Sequence, residues 1–307
     1  MGWPLRMFAP GDIYFVSIRC SQSRRLLRPS DETNAVLGGV LARAVRKHDL
    51  ELFAYTVMST HLHLVLRAPR GNLPRFMQYL LANISKKVGA LIGWRGSFWQ
   101  SRYSVQPILD DAALLDRIRY VLAHGVKEGL VRSCDDWPGL SSLAQMRDGK
   151  PRRFQWFNWT RRSSGNRLHQ PRPRFDQRWA EAEELTLAEL PVAGLNTREK
   201  VRHFLEETTH AIEEQAAKMF RTVSGRRAVL ADHPHRRARR PKRQPRPWCH
   251  TTVAELRRQF LDQFRAFADA FHRASSRWRV GDFRSDFPQR AVRPFYWPGA
   301  VAGQIAA

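Results

Sequence analysis

Cysteine is scarce in this sequence, and no long apolar run occurs. The 307 residues include three cysteines, Cys20, Cys134 and Cys249, without a Cys-x-x-Cys pair. This excludes a disulfide framework, gives no support to a cysteine zinc site and indicates a reducing compartment. Residues 1–8 lack a signal-peptide hydrophobic region, and no apolar segment approaches the roughly 18 residues of a membrane span. We therefore expect a cytoplasmic protein with no membrane partner.

Acidic side chains are few compared with basic ones. The chain has 28 Asp and Glu against 52 Lys and Arg, a formal charge of +24 and a pI near 11.3. Such a balance favours a polyanionic partner, nucleic acid first, although ribosomal proteins, membrane-surface proteins and basic enzymes share it. A hydrophobic share of 43% over this length is enough for a core and for about two domains.

Residues 1–150 alternate strand and helix patterns. Aromatic and β-branched runs with period two predict strands, and apolar residues three or four apart predict helices. The strands are expected at 12–20, 52–58, 61–67 and 98–108, and the helices at 30–49, 72–91 and 110–124. This order predicts an α+β domain, a ferredoxin-like antiparallel sheet with helices on one face.

The second half of the chain has a different composition. Residues 151–180 are rich in Arg, Pro, Ser and Gln, which is typical of a linker. Residues 181–307 are predicted to be an Arg-rich, mainly helical region. Within it, residues 226–246 carry nine Lys or Arg and several prolines, so we expect a disordered, cationic stretch that is either a solvated loop or a source of phosphate contacts.

Two histidines stand two apart in a predicted strand. His61 and His63 would project from the same face of that strand, where two imidazoles can share one metal ion. Eleven histidines in a chain of this length make a chance pair common, so the motif by itself is weak.

A tyrosine lies on the polar side of a later helix. Between residues 111 and 124 the apolar side chains gather on one side, and Arg117, Tyr120 and His124 lie on the other. Tyr120 and His124 are one helical turn apart. A tyrosine beside a histidine and a cation suits an oxygen nucleophile for a phosphodiester, whereas the alternative is an ordinary surface tyrosine.

Four segments in order resemble transposases of the insertion sequence 200/605 type, the IS200-like single-tyrosine enzymes with a His-hydrophobic-His motif. Residues 58–66, MSTHLHLVL, resemble their Met-Pro-Asn-His-Val-His-Leu segment. Residues 98–103, FWQSRY, and 119–131, RYVLAHGVKEGLV, resemble two further motifs. Residues 137–142, WPGLSS, are similar to a Trp-Pro-x-Ser-Ser motif, and the subgroup associated with repetitive extragenic palindromes is the most similar.

The resemblance spans roughly residues 10–145 and implies specific roles. His61 and His63 would be metal ligands, Tyr120 the nucleophile that forms a covalent phosphotyrosine, and His124 the third ligand, where relatives have Gln or Asn. Two departures occur, Ser59-Thr60 for Pro-Asn and His124-Gly125 for Asn-Pro. An all-histidine site would shift the expected metal from Mg²⁺ towards Mn²⁺ or Zn²⁺.

The same resemblance implies a DNA substrate. Arg117 would steady phosphate charge, and Trp99, Arg102, Tyr103 and Lys127 would contact single-stranded or hairpin DNA, including palindromic repeats. Related enzymes act as monomers or homodimers, in the bacterial cytoplasm or nucleoid. Two alternatives stay open: a catalytically retired DNA-binding protein of the same fold, and an RNA-binding module that rests on charge alone.

Overall fold

A computed structural model describes residues 5–164, 174–237 and 247–292. The strands are β1 (Ile13–Arg19), β2 (Glu51–Met58), β3 (His61–Arg67), β4 (Ser104–Ile108), β5 (Arg152–Phe157) and β6 (Ala180–Leu185). The helices are α1 (Asp31–His48), α2 (Leu73–Leu91), α3 (Asp111–Leu122), α4 (His124–Lys127), α5 (Leu143–Asp148), α6 (Trp159–Ser164), α7 (Arg198–Met219), α8 (Arg226–Ala231) and α9 (Ala254–Arg279).

Polar caps set the start of the helices that matter most for the site. The Ser30 hydroxyl accepts a hydrogen bond from the Thr33 amide at 3.1 Å, and the Asp110 carboxylate accepts one from the Ala113 amide at 2.8 Å. Each cap satisfies an amide that the first helical turn would otherwise leave unpaired. These caps explain why α1 and α3 begin at the predicted positions.

The first four strands form one antiparallel sheet. Its strand order is β2-β3-β1-β4, with β1 between β3 and β4. Helix α1 connects β1 to β2, and α2 connects β3 to β4. The predicted α+β fold with a ferredoxin-like antiparallel sheet and a helical C-terminal region is confirmed.

Side-chain alternation along β3 separates two cores on the two faces of this sheet. Leu62 and Leu64 pack with residues of α1 and α2 in the larger core. Val65, on the other face, packs with α3 in a second core. The three predicted helices therefore do not all lie on one face: α1 and α2 cover one face of the sheet, and α3 covers the opposite face. The strand that carries both histidines is buried on both faces.

The outer edge of β2 is covered by the segment 137–142. Val57 donates its amide to the Leu140 carbonyl at 2.8 Å, the Ser142 amide donates to the Tyr55 carbonyl at 2.9 Å, and the Trp137 indole donates to the Val57 carbonyl at 3.1 Å. An uncovered edge strand would be a template for aggregation. The Trp-Pro and Ser-Ser motif therefore stabilises the sheet edge.

Three expectations about element bounds need correction. β4 begins at Ser104 rather than at residue 98, and Phe98 is a core residue. The expected linker contains β5, which pairs with β6 and packs on α1. The first part of the basic stretch is not disordered, because α8 begins at Arg226; residues 238–246 lie outside the described residues.

Two adjacent glycines in α1 allow β5 to lie directly on this helix. A Cβ atom at Gly39 would be 2.0 Å from the Gln155 carbonyl oxygen, and one at Gly38 would be 2.2 Å from the Phe154 ring. Glycine within a helix usually marks such an approach, since it is otherwise unfavourable there. The glycine pair indicates a close approach to α1, and the structure shows that β5 makes it.

Gly39→Ala is expected to destabilise the protein by about 1–3 kcal/mol, because the methyl group would overlap backbone that cannot move freely. The gain in helix propensity, about 0.5–1 kcal/mol, is smaller. Urea denaturation measures the effect. Gly194→Ala is the control, since no atom lies within 4 Å of its added Cβ; equal stability of both variants would contradict the prediction.

In the part of the chain that the structure describes, no helix combines the length and the apolar character needed to cross a membrane.

Candidate functional site

Strand pairing places two histidines on the sheet face that α3 covers. In the register of β1 with β3, His61 pairs with Arg19 and His63 with Ser17. Alternate residues of a strand share a face, so both imidazoles point to the same side. The Thr60 hydroxyl lies 2.8 Å from His61 Nδ1, which fixes the ring and directs Nε2 inward.

A third histidine joins this pair from the helix after α3. His124 begins α4, directly after the single residue that separates it from α3. Its Nε2 lies 2.7 Å from His61 Nε2. The ligand atoms of His61, His63 and His124 all lie within 4.8 Å of one another, and all three side chains are buried. Among the described residues this is the one such cluster that could hold a metal ion.

The cluster fits a metal ion by its hydrogen bonding and its charge state. Both ring nitrogens of His63 are buried and have no hydrogen-bond partner among the described residues, which is costly unless a ligand satisfies them. Burial, and to a lesser degree the neighbouring imidazoles and Arg19, hold the pKa values of His61 and His63 well below the usual range. Neutral imidazoles present free lone pairs, and nitrogen ligands suit Mn²⁺ and Zn²⁺ better than Mg²⁺.

Tyr120 lies beside the three histidines. Its ring centroid is 5.4 Å from that of His63 and 5.0 Å from that of His124. Burial, and then Glu128, raise the pKa of its hydroxyl above the ordinary value, whereas Arg117 opposes that shift. The hydroxyl is therefore protonated at neutral pH, and its proton must leave before the oxygen can act as a nucleophile.

Two cations flank the tyrosine. The Arg117 guanidinium carbon lies 5.1 Å from the Tyr120 ring centroid, and Lys127 Nζ lies 4.9 Å from it. Arg117 is half-buried, and neither cation has an ion pair with a carboxylate within the described ranges. Cations that form no close ion pair can bind a phosphodiester.

The predicted residues fall into three groups. The structure brings together His61, His63, Arg117, Tyr120, His124 and Lys127. Trp99 and Tyr103 pack instead with the core on the other face of the sheet. Tyr103 is 9% exposed and Arg6 lies over its ring, so this ring is not open to a base. Arg102 is exposed, and its contact with DNA stays a prediction.

Two aromatic neighbours of the site were missed by sequence reasoning. Phe15 stacks on His63 at a centroid distance of 5.2 Å and meets the Tyr120 ring edge-on at 5.7 Å. The His250 ring also contacts the Phe15 ring edge-on, at a centroid distance of 5.5 Å. Phe15 lies in a recognised strand, but only its pairing with β3 reveals the contact. No local pattern marks His250, which is 130 positions beyond Tyr120.

The His124 pKa predicts an acid-sensitive fold in the metal-free protein. Burial lowers this pKa from 6.5 to about 4, so below pH 6.5 the unfolded chain binds a proton that the folded chain excludes. The free energy of unfolding should fall as the pH decreases from 6.5 to 4, by up to about 1.4 kcal/mol per pH unit from this group.

His124→Gln should make the free energy of unfolding depend less on pH, by the equivalent of one proton. Urea denaturation in EDTA measures this slope. Between about pH 7 and 8, where His124 is neutral in both states, the two proteins should have the same slope. Identical slopes between pH 6.5 and 4 would contradict the prediction.

Comparison with known proteins adds a family match. Residues 12–123 match the family model described as Transposase IS200 like. This segment contains β1 to β4, His61, His63 and Tyr120, whereas His124 follows directly after its end. No curated protein matches the chain.

Two solved structures are similar to the chain. The REP-associated tyrosine transposase bound to a REP hairpin is 17% identical, with a TM-score of 0.42 over 59% of this chain and 98% of that chain. A candidate transposase from Deinococcus radiodurans R1 is 22% identical, with a TM-score of 0.29 over 39% of this chain and 95% of that chain.

Proposed function

We propose that this chain, whose residues 12–123 match the IS200-like transposase family, cleaves and rejoins single-stranded or hairpin DNA through a covalent link to Tyr120. The observation that carries this proposal is the position of the Tyr120 ring beside a buried cluster of three histidines. Its centroid lies 5.4 Å from that of His63 and 5.0 Å from that of His124. A nucleophile and a metal-binding cluster in contact are the two parts that such chemistry needs.

His61, His63 and His124 would hold a divalent cation, either Mg²⁺ or Mn²⁺ or, given three nitrogen ligands that suit Mn²⁺ and Zn²⁺ better than Mg²⁺, Zn²⁺. When bound, such a cation supplies Lewis-acid stabilisation of the charge on the scissile phosphate. The unpartnered nitrogens of His63 support this assignment.

The reaction at Tyr120 is a displacement at phosphorus. The hydroxyl loses its proton, its oxygen bonds to phosphorus, and the bond to the 3′ oxygen breaks. The leaving oxygen takes up a proton to give a free 3′-OH, and the 5′ strand stays on Tyr120. Attack by another 3′-OH reverses these steps and rejoins the strands without ATP. Arg117 and Lys127 would hold the phosphate oxygens during both displacements.

The proposed partner is DNA, and the positive charge of the site and of the chain suits it. The formal charge of +24 favours a phosphate backbone, and the affinity should fall steeply with salt. Tyr120, the three histidines and both cations come from one chain, so the proposal includes cleavage in cis, whereas a homodimer and a preference for palindromic repeats stay predictions.

A second candidate is a retired DNA-binding protein of the same fold. The observation that favours it is His124, which stands where resembling enzymes have an amide. Three neutral imidazoles in a buried cluster could equally be an inert remnant.

Incubation with end-labelled hairpin and single-stranded DNA tests the proposal. With Mn²⁺, Mg²⁺ or Zn²⁺ in turn, at least one ion should give a covalent protein–DNA band on a denaturing gel, and EDTA should remove it. DNA binding without a covalent band in any metal would support the retired protein. Preference for an RNA hairpin of the same sequence would support an RNA-binding module.

A further inference from the structure

One of the segments through which the C-terminal half of the chain contacts the first domain is a four-residue stretch, 249–252. The His250 amide donates to the Pro107 carbonyl at 2.8 Å, and the Leu109 amide donates to the His250 carbonyl at 2.9 Å. His250 thereby forms a parallel bridge with Ile108. The segment covers the free edge of β4, the edge opposite to the one that residues 137–142 cover.

The same segment binds the helix that carries the tyrosine. Asp110, the N-cap of α3, accepts hydrogen bonds from the Thr251 hydroxyl at 2.5 Å, the Thr252 amide at 2.8 Å and the Thr252 hydroxyl at 3.1 Å. The Asp110 carboxylate also accepts a hydrogen bond from the Ala113 amide of α3 itself. One carboxylate therefore connects the C-terminal half to the first turn of α3.

The bridge also places the His250 ring on the site face of the sheet. Ile108, its bridge partner, packs in the α3 core, and residues bridged side by side share a face. The His250 ring contacts Phe15 at 5.5 Å, and Phe15 in turn contacts the rings of His63 and Tyr120. Burial lowers the pKa of His250 to about 4, so at neutral pH the ring packs as an uncharged aromatic group.

We propose that segment 249–252 is a positioning element of the strand-transfer site. Thr251 and Thr252 fix the start of α3 and therefore the direction from which Tyr120 approaches, and His250 fixes the Phe15 ring between His63 and Tyr120. These residues act through Asp110 and Phe15 rather than on DNA. The active site is thus completed by a part of the chain that lies outside the family match, and this inference rests on the proposed function.

The experiment compares full-length variants in single-turnover reactions with a labelled hairpin oligonucleotide. Thr251→Val with Thr252→Val removes both hydroxyl hydrogen bonds and keeps the side-chain shape. We expect the rate of covalent bond formation to fall at least roughly tenfold, since a misplacement of about 1 Å can cost about 10²-fold. Hairpin affinity in EDTA and Mn²⁺ affinity should stay unchanged, because the segment contacts neither ligand.

Three further variants separate positioning from folding. Thr197→Val removes a comparable hydroxyl cap at the start of α7, where the Thr197 hydroxyl accepts a hydrogen bond from the Lys200 amide at 3.3 Å. This variant should leave the rate unchanged. His250→Ala should slow the reaction, whereas His250→Phe, which keeps the ring contact with Phe15, should restore most of the rate.

Two results would overturn the inference: a wild-type rate in both the double variant and His250→Ala, or an equal loss of rate in Thr197→Val. A wild-type protein that forms no covalent product with any oligonucleotide would instead refute the proposed function itself.

Discussion

Tyr120→Phe is expected to abolish the covalent protein–DNA band completely. The substitution removes one oxygen atom and keeps the ring that contacts His63, His124 and Phe15. Without that oxygen no phosphotyrosine bond can form, whereas the packing of α3 is preserved. A denaturing gel of the reaction with labelled hairpin DNA and Mn²⁺ measures the result.

Tyr79→Phe is the matched control for this change. Tyr79 is a half-buried tyrosine of α2 whose ring stacks with Trp156 at 6.1 Å, on the face of the sheet opposite to the histidines. This variant should form the covalent band at the wild-type rate. DNA binding in EDTA should be the same for both variants, and a covalent band that persists in Tyr120→Phe would refute the assignment of the nucleophile.

His63→Leu is expected to reduce the cleavage rate by on the order of 10³-fold, since a metal ion can supply several kcal/mol of charge stabilisation. The metal-free variant should nevertheless be as stable as the wild type or more stable. His63 has two buried nitrogens without a hydrogen-bond partner in the described chain, and replacing such a group with an apolar one of similar size removes a desolvation cost.

Thermal denaturation with and without Mn²⁺ separates the two parts of that prediction. The wild type should gain about 2.7 kcal/mol at a hundredfold excess of Mn²⁺ over its dissociation constant, and His63→Leu should gain nothing. Unchanged metal stabilisation in the variant would remove His63 from the ligand set.

A mixture of His63→Leu and Tyr120→Phe should not recover activity if the site works in cis; recovery would indicate exchange between two chains.

Local pattern was sufficient to predict most of the first domain. The caps Ser30 and Asp110, the alternation around His61 and His63, and the apolar stripe of α3 depend on interactions within a few residues. Both partners of such an interaction lie in the same short stretch of sequence. The strands, the helices and their ferredoxin-like order therefore follow from sequence. The resemblance then indicated which histidines and which tyrosine to consider together.

Contacts between distant segments were not predictable in this way. Gly38 and Gly39 gave a signal that something packs closely on α1, but not that it would be β5. Trp99 and Tyr103 have the composition of a base-stacking surface, yet they lie with the core on the face away from the histidines. The direction of an aromatic side chain depends on which face of the sheet its neighbours occupy.

The histidine pair shows which relations the sequence determines and which require the tertiary structure. The sequence by itself determined that His61 and His63 share one face of a strand and that Tyr120 and His124 are one turn apart. The first relation follows from the repeat of a strand, and the second from helical backbone that continues from α3 through Ala123 into α4. Only the tertiary structure decided that those two faces meet, that Phe15 lies between the strand and the tyrosine, and that residues 249–252 bind the start of α3. These relations join segments up to 142 residues apart, and they arise from burial of one sheet face against one helix, which no local pattern specifies.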